Sequence, residues 1–120
     1  MSLTRPSIGE YLDRLSILKL KIGYGEKAGY AIEHFRDEMH EILGALPDSL
    51  NMAADPVQDI FAVNELLWTL TDNLRRAIAT HHREQERSLG VAILHANDER
   101  ARLIQAINED HGDFRKEKFA

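Results

Sequence analysis

Residues 56–78 read PVQDIFAVNELLWTLTDNLRRAI. Written in sevens, Val57, Asn64, Thr71 and Ile78 share one inner position, and Ile60, Leu67 and Leu74 share the other. Apolar residues at such three- and four-residue spacing describe a helix packed along one seam. Asp55 before Pro56 supplies a start signal, a capping side chain followed by proline at the first helical position. The spacing predicts a helix over 56–82. Downstream, Leu89, Ala96 and Leu103 alternate with Ile93, Arg100 and Ile107, which predicts a helix over 89–109. The intervening Arg83 to Ser88 favours helix by composition, so it reads either as a turn or as a continuation. Upstream, Ser7-Ile8-Gly9-Glu10 is a capping-box pattern opening a helix over 8–22. Gly23-Tyr24-Gly25 reads as punctuation. Ala28, Ala31, Ile32, Phe35, Met39, Ile42, Leu43 and Leu46 then mark a helix over 26–46 with a narrow apolar stripe. Nothing reads as a strand. The expected architecture is an all-α four-helix bundle, one domain over 1–110, with a mobile charged tail over 111–120.

Composition bounds the function. The chain is 120 residues long, with 43% hydrophobic and 29% charged residues, ordinary for a soluble domain. No apolar run approaches a membrane span, and the N-terminus lacks the pattern of a secretory signal. There is no cysteine, which excludes thiolate metal ligands and thiol nucleophiles and fits the cytoplasm. A net charge of −5 argues against a nucleic-acid partner. No membrane partner and no cofactor are expected.

The seams carry polar residues that need partners. Asn64, Thr71 and Arg100 fall on inner positions, with Asn97 beside them. A cation on a seam requires an ionic partner, because an unpaired buried charge costs several kcal/mol. Glu65, Asp72 and Asp98 are the candidates in sequence, and Trp68 shares the region. Two readings stay open. In one, the polar residues form a satisfied network that fixes helix register. In the other, Arg100 with Asn64 and Asn97 lines a small cavity that holds an anionic ligand.

Three motifs carry a resemblance: S-I-G-E-x-x-D-R-L-S-I-L-x-x-K from Ser7 to Lys21, V-N-E-L-L-W-x-L-x-D-x-L-R from Val63 to Arg75, and N-D-E-R-A-R-L-x-x-x-I-N from Asn97 to Asn108. On these the chain resembles a bacterial family of small all-helical proteins of unknown function. The resemblance implies no reaction, cofactor or catalytic residue. Through relatives that look like neighbours or fusions of sugar-transfer and tetratricopeptide proteins, it implies a link to cell-surface polysaccharide assembly.

Enzyme patterns stand at background. All-α pyrophosphatases hold Mg²⁺ with acidic pairs at i, i+3, and Glu10/Asp13, Glu38/Glu41 and Asp110/Asp113 have that spacing. With 20 acidic residues, chance supplies about three such pairs. A ferritin-like site needs carboxylate-x-x-His from two helices; Asp37/His40 fits, while His95/Asp98 is reversed. Residues 98–105 are also similar to the first helix of all-α chorismate mutases, without that family's further acid-base set. No metal site is expected.

The expected function is therefore that of a non-catalytic module that self-associates, most simply as a homodimer, and docks on a partner enzyme. Ile17 and Leu20 project from the first helix away from its main stripe, and Leu66 and Leu94 fall off theirs. These four are the expected oligomer interface.

Overall fold

The computed structural model describes residues 5–113. It contains α1 (Ile8–Ala28), α2 (Glu33–Ala45), α3 (Asp55–Ala79) and α4 (Arg83–Asp110), with no strand among the described residues. The all-α four-helix bundle is the fold.

α1 starts where its sequence says. The Ser7 hydroxyl accepts from the Glu10 N–H at 3.2 Å, and the Glu10 carboxylate accepts from the Ser7 N–H at 3.1 Å, completing the capping box. It does not stop at Ile22. Gly23 and Gly25 lie inside it, and the end is Gly29, left-handed at φ 75°. Each interior glycine weakens a helix by about 1 kcal/mol. Packing offsets this: Gly25 is buried with Ile32 against it, and the Tyr24 ring lies 6.1 Å from that of Trp68. Consequently α2 begins at Glu33 rather than near residue 26.

Asp55 is the first residue of α3, not its cap. Ala54 holds the cap position without a side-chain bond. Near this end the Gln58 amide instead donates to the Met52 carbonyl at 2.8 Å. α3 and α4 are separate helices. The break falls at Thr80–His82, with His81 left-handed at φ 55°, so α4 opens at Arg83 and passes through Gly90. The missing signal is understandable, because glycine usually occupies such a left-handed position and here histidine does. His111 to Asp113 are held at the end of the fold: the Asp113 carboxylate accepts from the Ile8 N–H at 2.9 Å. The rest of the expected mobile tail lies outside the described residues.

The core joins Leu12, Leu15 and Leu18 of α1 to Val57, Ile60 and Val63 of α3 and to Ala96, Leu103, Ile104 and Ile107 of α4. Leu12, Leu18 and Ile60 are fully buried, each worth about 1.5–3 kcal/mol relative to exposure. α2 rests on the outer side of α1. Its Ile42 is the helix's buried residue, and Arg14 makes a bidentate pair with Glu38 at 2.7 and 2.9 Å. α3 and α4 run antiparallel and continue past this body. Between Asn64 and Ala96, Ala77 is the one buried residue. The distal half of the hairpin forms an arm; α1 lies over its base, out to Trp68 and Arg75, and the hairpin beyond is built from α3 and α4.

Candidate functional site

Asp13, Ser16, Asn64 and Arg100 meet where α1 crosses the α3–α4 hairpin. Residues three apart share a face of a helix, so Asp13 and Ser16 of α1 present adjacent polar atoms. Arg100 donates through Nε to Asp13 Oδ1 at 2.7 Å and through Nη2 to Oδ2, closing a bidentate pair. Asn64 donates through Nδ2 to Asp13 Oδ1 at 2.8 Å and to the Ser16 hydroxyl. That hydroxyl donates to the Asp13 carbonyl at 2.8 Å. The network ties all three helices. The Asp13 side chain is 5% exposed and that of Arg100 31% exposed. The hydrogen bond from Arg100 to Asp13 raises the guanidinium's already high pKa, against the lowering effect of burial. A permanent cation thus neutralises a buried carboxylate.

Above this network lies a groove of about 440 Å³. α1 contributes Ile17, Leu20 and Lys21; α3 contributes Asn64, Leu67, Trp68, Thr71, Asp72 and Arg75; α4 contributes Ile93, Asn97 and Arg100. Five residues singled out from sequence are therefore brought together: Asn64, Trp68, Asp72, Asn97 and Arg100. Glu65 and Asp98 are not; both are exposed and outside the groove. Neither they nor Asp72 is the partner of Arg100. Asp72 pairs with Arg75 at 3.1 Å on the rim.

The partner that sequence reasoning missed is Asp13. Its signal was present as the tripeptide Asp13-Arg14-Leu15 and then Ser16, polar residues set inside a helix apolar on most sides. Which of them faced inward depended on how α1 crosses the hairpin. A second polar cluster was also missed, at the start of α1. Asn108 accepts from the Gly9 N–H at 2.7 Å and donates to the Ser7 hydroxyl at 3.0 Å. Only glycine fits there, since a Cβ on Gly9 would sit 2.4 Å from the Ile104 carbonyl oxygen.

The four expected interface residues divide. Ile17 and Leu20 are half-buried and line the groove within a single chain. Leu66 and Leu94 are exposed, at 50% and 61%. Among the described residues, no three His, Cys, Asp or Glu side chains converge as metal ligands, and no helix is long and apolar enough to cross a membrane. Comparison with protein-family models, with curated proteins and with solved structures finds no match to this chain.

Proposed function

We propose that this chain is a non-catalytic interaction module that self-associates as a two-fold dimer, the α3–α4 arm of one copy packing against that of its partner. The observation that carries this reading is the bare arm. Helices in proteins draw most of their stability from an apolar face packed on something else, and the arm has one buried residue between Asn64 and Ala96. It nevertheless exposes Ile78, Val91 and Leu94 at 52%, 55% and 61%.

A second copy is the occupant that fits. Two hairpins related by a two-fold axis make a four-helix bundle, and the two-fold dimer is the commonest soluble assembly. The arm is also balanced in charge, with Arg75, Arg76, Arg83 and Arg87 against Glu65, Asp72, Glu84 and Glu86, on a chain whose net charge is −5. Like arms therefore do not repel as whole chains would. The interface shifts from α1, expected from sequence, to the arm, where Leu94 lies. Absence of cysteine supports a cytoplasmic setting.

The test is mass by light scattering at micromolar concentration. The wild type is expected at dimer mass. Ile78→Glu/Leu94→Glu is expected at monomer mass with its helical signal retained. A wild type of monomer mass, or a double variant that still pairs, overturns the proposal.

A further inference from the structure

We infer that the groove between α1, α3 and α4 is a binding site for a small monocarboxylate with an aromatic or branched apolar body and a hydroxyl or amine donor. This does not rest on pairing of the arms. The size is right, since small-molecule sites span about 300–1,000 Å³ and this groove holds about 440 Å³. Ile17, Leu20, Leu67, Trp68 and Ile93 supply the apolar wall.

The floor supplies the polar anchor. Asn64 is 4% exposed and both bonds it makes leave from Nδ2, to Asp13 and Ser16. No side-chain polar atom among the described residues is both fully buried and unbonded, so the Asn64 Oδ1 keeps some exposure to solvent, on a residue that lines the groove. An acceptor there asks for a donor on the ligand. Arg100 uses Nε and Nη2 on Asp13, leaving Nη1 outside the pair on a groove-lining side chain.

Guanidiniums meet the anion. Asp13 takes Nε and Nη2 of Arg100 and Asp72 takes one nitrogen of Arg75, so each guanidinium keeps donors for a carboxylate, while the Lys21 ammonium lies over the Phe35 ring at 5.4 Å. Every lining residue lies in a helix interior, away from the unpaired N–H groups of helix N-termini that favour phosphate. The anion must be met by side chains alone, and a planar carboxylate matches a guanidinium.

Trp68 is the chain's one tryptophan, so its fluorescence reports occupancy. Titration with 3-phenyllactate is expected to quench it saturably. 2-Phenylethanol, which lacks the charge, and lactate, which lacks the body, should each bind about tenfold more weakly. Arg75→Gln, at an exposed groove position outside the buried network, should weaken phenyllactate about fivefold or more without changing the melting curve. The monomerising variant Ile78→Glu/Leu94→Glu should bind as the wild type does. Four results would each overturn the inference: no saturable quenching by phenyllactate, equal affinity for phenylethanol, an unchanged affinity in the charge variant, or loss of binding on monomerisation with helicity retained.

Discussion

The Asp13–Arg100 pair shows how much one ionic contact controls at the residue scale. Removing one partner of a buried pair costs about 3–5 kcal/mol because the other charge is left in place, and partial exposure of Arg100 admits water that reduces the loss. Arg100→Ala is therefore expected to destabilise the fold by about 2 kcal/mol in urea unfolding, and Arg100→Lys to recover part of it, since a point charge cannot make both bonds. Equal stability for wild type and Arg100→Ala would show that the pair does not hold the helices together. Glycine positions give an opposite pair of outcomes. Gly9→Ala forces a Cβ against the Ile104 carbonyl oxygen and should cost about 1–3 kcal/mol. Gly90, in the middle of α4 with nothing within 4 Å of its ideal Cβ, should gain about 0.5–1 kcal/mol on change to alanine. A melting temperature that rises for Gly9→Ala would contradict the close approach there, and one that falls for Gly90→Ala would contradict the open space at Gly90. Of these residues, Asn64 and Arg100 were legible as polar groups on apolar seams. Asp13 was not, because its inward aim depends on how α1 crosses the hairpin, a long-range relation with no local spacing.

At the scale of elements, helix existence followed from periodicity while helix ends followed from context. The capping box at Ser7 was readable because both partners are three residues apart. The end of α1 was not, since Gly23 and Gly25 carry the same local signal as a stop and are overridden by packing of Ile32 and Trp68. The α3–α4 turn was hidden for the converse reason: His81 takes a conformation that a histidine seldom announces. α2 depends on its contact with α1, and its ion pair gives a pH signature. The hydrogen bond from Arg14, against burial, holds the Glu38 carboxyl below the ordinary glutamate range. A carboxyl depressed on folding contributes stability that is present above its unfolded pKa and is lost as pH falls through the folded value. Both side chains are about one-third exposed, at 33% and 37%, so the contribution is small. The stability gap between wild type and Glu38→Gln, followed by urea midpoint against pH, is expected to be present at neutral pH and to close in acid below the glutamate range. A gap that persists unchanged into acid would assign the effect to packing rather than to charge.

The whole molecule is a three-helix body carrying α2 on one side and a bare hairpin arm at one end. The proposed pairing would set its mass in solution through the arm, and the proposed ligand would sit in the groove at the arm's base; the two experiments share Ile78→Glu/Leu94→Glu so that each can fail alone. A subtler expectation joins them. Shortening the arm by joining α3 to α4 nearer the body should abolish dimerisation while leaving most of the core's stability, because the buried residues cluster below Asn64 and above Ala96. Chemical unfolding of the shortened chain gives the test, and a loss of more than about half the stability would show that the arm supports the body. The sequence by itself determined the helical class and most core positions, since a 3.6-residue period, a capping box and three prolines act within a few residues of chain. It also marked Asn64, Trp68, Asn97 and Arg100 as neighbours in waiting. Only the tertiary structure decided that Asp13 answers Arg100, that Ile17 and Leu20 line a groove within one chain, and that the hairpin outruns its covering helix. Each of these depends on the angle and height at which α1 meets α3 and α4, which side chains scattered over a hundred residues fix together and no local window contains.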